Sequence, residues 1–588
     1  MKLSVNRNIL WCDVFVQRLN ELGAMYACIS PGSRSTPITI SLVSNKKVKV
    51  FPIVDERSSS FFALGLAKKI NSPVIIVTTS GTAVAEIYPA IIEAYYSRIP
   101  LIVCTGDRPS HLMNRGANQT INQQNIYGNH IRFFADPGLP DLNNIKNIVT
   151  LAEKAIEISC YTDRGPVHIN LQFEKPFEPK SYTDSIKIAE IQNFFHLGSQ
   201  EITPLHQSKL TTSELSNKFL AINNGVIIIG YDKYGKNSGE VLTRFAKVLG
   251  YPVYIDGASP LRSGIHSNEN IIEDMTTIVR AKNFLPKFDP ELIIQFGSAP
   301  TSNSLLEFFK LSKSDKILVN EFGDKNDPSL SAETIIPCNP EDFCRSILNA
   351  LPANFHRENP WLDKFKKMNS VISGLKRKLI TNASFPFEGR IITEIFNHLP
   401  DNSNLMISNS LPIRDTDYFA FSENKKINIY ANRGASGIDG IISTAIGIAA
   451  TSSNPTYLLI GDLAFFHDSN GLHNTIKFNI PLTIILINNS GGGIFHSLPI
   501  SQYKDILKEN FLTPLKIDFK KIVEANGGRI VEIKSWNMFR RKLLYCRKSK
   551  SLTILEIKTD AVKSKRQRLL FWNRAAKEVE KYIDEIKS

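Results

Sequence analysis

Cysteine is scarce and without pattern. The chain has seven among 588 residues, an odd number, and no Cys-x-x-Cys pair. That excludes a disulfide framework or a zinc module as the organising principle. It fits a reducing compartment, so a cytoplasmic protein is expected. The N-terminal "MKLSVNRNILWCDVFVQRL" lacks an apolar stretch followed by a cleavage site, so no secretory signal is expected. No uncharged apolar run reaches the ~20 residues a membrane helix needs. Short-period repeats and low-complexity tracts are absent. Acidic residues are in deficit: 56 Asp and Glu against 70 Lys and Arg leave a net charge of +14. Such a balance suits anionic partners. Its densest basic runs, "FRRKLLYCRKSK" (539–550) and "KSKRQR" (563–568), carry no interleaved stacking aromatics. They read as solvated faces or loops, and neither nucleic acid nor membrane is expected as a partner.

What is present is α/β alternation. The first third contains apolar strands at "MYACIS" (25–30), "VKVFPIV" (48–54), "PVIIVTTS" (73–80), "PLIVCTG" (100–106) and "GPVHINLQF" (165–173). Between them lie helical stretches, such as 8–23, 56–70 and 81–98. Strands that are apolar throughout and separated by helices predict a parallel sheet covered on both faces. A Pro- and charge-rich segment, "EKPFEPKSYTDS" (174–185), reads as a linker. A second α/β unit is expected from about 200 to 350, with strands at 225–230, 252–256, 291–297 and 316–322. A third, from about 375 to 588, has strands at 404–410, 427–433, 456–461, 481–488 and 551–560. The fold class is therefore α/β, with three doubly wound parallel-sheet domains, the first spanning about 1–180.

Chemistry enters at "TYLLIGDLAFFHD" (456–468). A buried strand stops at Gly461-Asp462, and a carboxylate there is ordinarily a helix N-cap. The next strand ends in Asn488-Asn489-Ser490-Gly491-Gly492-Gly493, with Asn489 27 residues beyond Asp462. One strand-helix-strand unit separates them, so both belong at the carboxyl edge of a parallel sheet, where α/β folds bind ligands. A carboxylate, an amide oxygen and the carbonyls of a glycine-rich turn form an all-oxygen set suited to Mg²⁺ and a phosphate. The glycines let backbone approach an anion closely, and the helix opening after Asp462 offers its N-terminus to a phosphate.

Gly461-Asp462 followed by Asn488-Asn489 resembles the thiamine diphosphate fingerprint, with Leu463 in place of its usual third glycine. "VFPIVDERSSSFFALGLA" places Glu56 after a strand of the first domain, where such enzymes carry the glutamate that binds the cofactor's aminopyrimidine. Taken alone, Glu56 is an acid in a helix's first turn. Longer stretches narrow the likeness: "SPGSRSTP" (30–37), "TSGTAVAEIYPAIIEAYYSRIPLIV" (79–103), "GDRP" (106–109), "GANQTINQ" (116–123), "RGPVHINL" (164–171), "NRGASGIDGIISTAIGIA" (432–449) and "INNSGGGIFHSLP" (487–499). In family order they resemble the 2-succinyl-5-enolpyruvyl-6-hydroxy-3-cyclohexene-1-carboxylate (SEPHCHC) synthases of menaquinone biosynthesis. The likeness is weak across the middle domain and the C-terminal tail.

The resemblance implies a thiamine diphosphate-dependent enzyme fold. Its first domain would bind the pyrimidine, and its third the diphosphate and Mg²⁺ or Mn²⁺. It implies decarboxylation of 2-oxoglutarate and addition of the succinic semialdehyde carbanion to isochorismate. It implies Asp462, Asn489 and Gly491 as metal ligands. Ser410, Gly461, Asp462, Leu463, Asn489, Gly491, Gly492, Ile494, Phe495 and Leu498 would contact the cofactor, with Glu56 from the other domain. Ser33, Arg34, Arg108, Asn118, Gln119, Arg414 and Arg433 would meet the substrates, since guanidinium forks match carboxylates. Arg414 and Arg433 are the candidates for the succinyl and isochorismate carboxylates. His467, His473 and His496 are expected to be structural. The family usually builds its site between subunits, which implies a homodimer or a dimer of dimers. Two departures stand out: Asn303 and Ser304 where relatives carry a basic residue, and Ala464 where a hydroxyl is common. A different 2-oxo acid carboligase is disfavoured by the four arginines. A flavin-type acetohydroxyacid synthase is disfavoured because the middle domain lacks a dinucleotide glycine fingerprint. A non-catalytic binding protein is disfavoured by Glu56, Asp462 and Asn489 occurring together.

Overall fold

A computed structural model describes residues 2–197, 212–421 and 425–586. The expected start of the central domain near residue 200 lies outside the described residues. Three parallel sheets form the scaffold, two of six strands and one of five. In the first, strands lie side by side in the order Lys49–Pro52, Tyr26–Ile29, Val74–Thr78, Leu101–Asp107, Pro166–Gln172 and Phe133–Ala135. In the last, the order is Asn428–Tyr430, Asn404–Ile407, Thr456–Gly461, Thr483–Asn488, Thr553–Lys558 and Arg529–Glu532. Counted in chain order within each sheet, both read 2-1-3-4-6-5. The same scaffold is used twice, and each copy reverses direction between its first and third strands, where an α/β sheet opens a ligand crevice. The middle sheet orders Val253–Ile255, Gly225–Ile229, Leu292–Phe296, Asp315–Asn320 and Thr334–Pro337.

By compactness the chain divides into two units. The first holds residues 1–207, 432–453 and 467–480. Its sheet is packed by the helix Arg7–Glu21 around Phe15, Leu19, Ile75, Ile102 and Ile169. The expected linker turns into structure at its end: Asp184–Lys187 pairs antiparallel with Lys2–Val5. The helix Glu56–Ile70 is capped by Asp55, whose carboxylate accepts the Ser58 N–H. It packs on Ile441–Ala450, a helix without a single charged residue. Their contact is backbone to backbone. A Cβ on Gly65 would lie 2.0 Å from the Thr444 carbonyl oxygen, and one on Gly447 2.1 Å from that of Phe62.

The second unit holds residues 208–431, 454–466 and 481–588. It contains both remaining sheets, with buried clusters built on Phe245, Phe296 and Phe343 and on Phe284, Phe365, Phe419 and Phe571. Three short strands of the parallel sheets escape the sequence pattern: Phe133–Ala135, Thr334–Pro337 and Arg529–Glu532. Each is the edge of its sheet. All seven cysteines are free thiols. Among the described residues no helix is long and apolar enough to cross a membrane.

Candidate active site

In the second unit, Asp462 follows the strand Thr456–Gly461 and begins the helix Asp462–His467. Gly461 pairs in register with Ile487, so Asn488 and Asn489 arrive at the same edge from the neighbouring strand. Asp462 is 2% exposed. Its Oδ1 accepts the Leu463 N–H at 2.9 Å and its Oδ2 the Gly491 N–H at 2.8 Å. Burial raises its carboxyl to about 6, and the Gly491 and Leu463 N–H groups oppose that rise. The Leu463 N–H is thus spent on Asp462 itself, and the helix has only six residues.

The glycine-rich turn is shaped by its own chain. Gly491 has φ +127°, and a Cβ there would lie 2.1 Å from the Leu512 carbonyl oxygen. Ser490, just before it, sits at φ +61°, a conformation that costs a non-glycine residue about 1–3 kcal/mol. The Gly492 N–H donates to the Leu512 carbonyl at 2.8 Å. Asn489 is the decisive side chain. Its Nδ2 donates to Glu388 at 3.2 Å, while its buried Oδ1 has no hydrogen-bond partner. An orphaned buried carbonyl oxygen is costly without an electropositive partner. Beside a buried carboxylate, that oxygen fits a bound divalent cation. Gly461 adds room, since a Cβ there meets nothing within 4 Å. Among the described residues no cluster of three or more His, Cys, Asp or Glu side chains is placed to hold a metal. The set formed here is one carboxylate, one amide and backbone.

Other expected residues of this unit cluster at the same sheet edge. Ser410 follows the strand Asn404–Ile407 and holds φ +71°. Its carbonyl accepts Arg414 Nη1 at 2.7 Å. Ile494 and Phe495 are half-buried and Leu498 is 38% exposed, so these apolar side chains are not absorbed by the core. Phe495 packs on Phe511 at 5.3 Å. His496 offers its carbonyl to Lys565, and burial lowers its imidazole pKa. Ala464 is buried, and Asn303 is the exposed first residue of the helix Asn303–Leu311.

The first unit carries the remaining residues. Ser33 and Arg34 form a tight turn after the strand Tyr26–Ile29. Gly106 allows the strand Leu101–Asp107 to approach that turn, because a Cβ there would lie 2.9 Å from the Arg34 backbone. Arg34 donates to the Phe173 carbonyl at 2.6 Å and stacks on Phe177. Arg108 donates to the Gln119 carbonyl at 2.7 Å and to the Ser80 hydroxyl. Gln119, at φ +56°, donates back to the Ser80 carbonyl at 3.0 Å. Burial lowers the pKa of both arginines, and the charge of Arg108 adds to the effect on Arg34. Two guanidiniums therefore share a neighbourhood, an arrangement that favours an anion. Asn118 is exposed on the same loop. Glu56 stands in the first turn of its helix, half-buried, and burial raises its carboxyl pKa. Arg433 lies in a turn held by Glu93, whose Oε1 accepts the Gly434 N–H at 2.9 Å and whose Oε2 accepts the Ala435 N–H at 2.7 Å. His467 and His473 are exposed, and the His467 carbonyl accepts Arg57.

Sequence reasoning missed Glu388, the partner of Asn489, and the residues that hold it. Glu388, 1% exposed, also accepts Thr559 Oγ1 at 2.8 Å and Arg568 Nη2 at 2.5 Å. Arg568 is itself buried and bridges on to Asp415. This corrects the reading of "KSKRQR" as a wholly solvated face: Ser564 and Arg568 point inward on the helix Ala561–Glu585. The spacing of 564 and 568 by four was the available signal.

Comparison with known proteins gives the family. A family model described as thiamine pyrophosphate enzyme, N-terminal TPP binding domain, matches residues 11–126. The corresponding C-terminal TPP binding domain matches residues 416–557, and the middle domain of thiamine pyrophosphate matches 199–407. The chain is similar to the SEPHCHC synthase of Bacillus cytotoxicus, at 36% identity over 97% of each chain. Its identity to that of Trichodesmium erythraeum is also 36%, covering 96% of this chain and 97% of that one. The crystal structure of benzoylformate decarboxylase from Polynucleobacter necessarius has the same fold, with a TM-score of 0.67 at 14% identity, covering 94% of this chain and 98% of that one. The chain belongs to the 2-succinyl-5-enolpyruvyl-6-hydroxy-3-cyclohexene-1-carboxylate synthase family of thiamine diphosphate-dependent enzymes.

Proposed function

We propose that this protein joins 2-oxoglutarate to isochorismate with loss of CO₂, giving SEPHCHC in menaquinone biosynthesis. In this reading it uses thiamine diphosphate with Mg²⁺ or Mn²⁺, as a cytoplasmic homodimer or dimer of dimers. The observation that carries the cofactor reading is the orphaned Oδ1 of Asn489 in the turn bonded to buried Asp462. The substrates follow from similarity, over nearly the whole chain, to proteins named for that product.

Asp462, Asn489 and the Gly491 carbonyl would hold the metal, and Ser410, Gly461, Leu463 and Gly492 would border the diphosphate. When bound, thiamine diphosphate supplies a nucleophilic carbon and an electron sink for decarboxylation. The chain's own residues do the rest. Glu56, whose carboxyl pKa is raised by burial, would meet the cofactor's aminopyrimidine and tune its proton transfers. Arg34 and Arg108, assisted by Ser33, Asn118 and Gln119, bind one carboxylate-bearing substrate; Arg414 and Arg433 bind the succinyl and isochorismate carboxylates. Ile494, Phe495 and Leu498 present apolar surface that would exclude water from the reacting groups.

The test is isochorismate consumption by the purified protein with 2-oxoglutarate, thiamine diphosphate and Mg²⁺, omitting one component at a time. Consumption only in the complete mixture is the expected result. Decarboxylation without isochorismate loss would make the acceptor wrong.

A further inference from the structure

The orphaned oxygen of Asn489 raises a prior question: what keeps that amide the right way round? A carboxamide is nearly symmetric in shape, and a half-turn exchanges its acceptor for a donor. With the NH₂ turned toward a cation, the site would lose a ligand and gain a repulsive contact. Glu388 answers by chemistry. Its Oε1 accepts the Thr559 hydroxyl and Asn489 Nδ2, and its Oε2 accepts Arg568. An ionised carboxylate only accepts, so it admits the NH₂ of Asn489 and rejects the oxygen. Arg568 holds Glu388 in place through Oε2, and is itself held at Nε by Asp415 at 2.7 Å. Thr559 is placed by its own N–H, which donates to the Asn488 carbonyl at 2.8 Å, one residue from Asn489. All four partners are confined: Glu388, Asp415 and Arg568 are each under 5% exposed, and Thr559 directly follows the strand Thr553–Lys558.

We infer that Glu388, anchored by Arg568 of the C-terminal helix, is a positioning residue that locks the Asn489 carboxamide with its oxygen free for the metal. This makes the C-terminal helix a support of the metal site, acting through Arg568 and Glu388. The inference rests on Asn489 being a metal ligand.

The test is Mn²⁺ binding measured by electron paramagnetic resonance, in the presence of thiamine diphosphate, on four proteins: wild type, Glu388→Gln, Asn489→Asp and the double variant. In Glu388→Gln the glutamine oxygen satisfies Arg568 and its NH₂ faces Asn489, which favours the flipped amide. Affinity should fall about tenfold to a hundredfold. An aspartate at 489 has no wrong way round, so adding Glu388→Gln to Asn489→Asp should cost little. Equal losses in both backgrounds would show that Glu388 merely supports the fold, and would overturn the inference. So would wild-type affinity in Glu388→Gln. Absence of Mn²⁺ binding by the wild type would instead defeat the metal-site reading, and this inference with it. Circular dichroism checks folding. Should Glu388→Gln not fold, Arg568→Lys is the second variant, with a loss in the same direction that must again vanish beside Asn489→Asp.

Discussion

Asp462→Asn separates a cap from a metal ligand. In the protein without cofactor, the carboxylate is buried and its pKa stands at about 6 instead of 3.8. At ~1.4 kcal/mol for each tenfold change in acidity, keeping it charged at neutral pH costs about 3 kcal/mol. Asparagine removes that cost. It also removes one of two acceptors, because only its oxygen can accept and its NH₂ faces the other of the Leu463 and Gly491 N–H groups as a second donor. A stranded buried donor costs about 1–3 kcal/mol. The two terms nearly cancel, so stability without cofactor should stay within about 2 kcal/mol of wild type. The response to ligand should not. At a hundred times its dissociation constant, a cofactor adds about 2.7 kcal/mol, a rise of several degrees in melting temperature. Thermal melts with and without thiamine diphosphate and Mg²⁺ should show that rise in wild type and none in Asp462→Asn. A full rise in the variant would return Asp462 to the role of a helix cap and refute the reasoning.

Further expectations follow from the same structure. Glu56→Gln should abolish turnover while leaving the cofactor-induced rise in melting temperature largely intact; normal activity would remove Glu56 from the mechanism. Arg433→Ala should raise the KM for isochorismate more than that for 2-oxoglutarate, and Glu93→Gln, by loosening the same turn, should do so to a smaller degree; unchanged values in steady-state kinetics would break the assignment. Gly65→Ala should lower stability by about 1–3 kcal/mol, the usual cost of overpacking, because its Cβ would lie 2.0 Å from the Thr444 carbonyl oxygen; an unshifted denaturant midpoint would contradict that contact. Asp417, bonded to the Tyr254 hydroxyl and the Gly257 N–H, has its carboxyl pushed up to about 7 by burial and then by the charge of Asp256. The folded state therefore holds a proton that the unfolded chain releases, and stability falls as pH rises from about 4 to about 7, by up to ~4 kcal/mol. Asp417→Asn should flatten that slope in melts across the range.

The scaffold was legible where burial on both faces forces unbroken apolar runs, as in Val74–Thr78 and Thr483–Asn488. The strands missed were sheet edges. "FFA", "TIIP" and "RIVE" have one neighbour each and need no such run. The functional turns were legible because glycines, a carboxylate and an amide at a strand end form a local pattern. Glu388 and Arg568 were not, because they are 180 residues apart in sequence and meet only through the packing of the C-terminal helix. A basic run looks solvated until folding shows which of its members turn inward.

The most direct measurement of the central claim follows the carbon. Uniformly ¹³C-labelled 2-oxoglutarate and unlabelled isochorismate are incubated with the protein, thiamine diphosphate and Mg²⁺, and products are read by mass spectrometry. One labelled CO₂ is expected for each isochorismate consumed, with an adduct carrying every donor carbon but one. Labelled succinic semialdehyde, with isochorismate untouched, would contradict the claim.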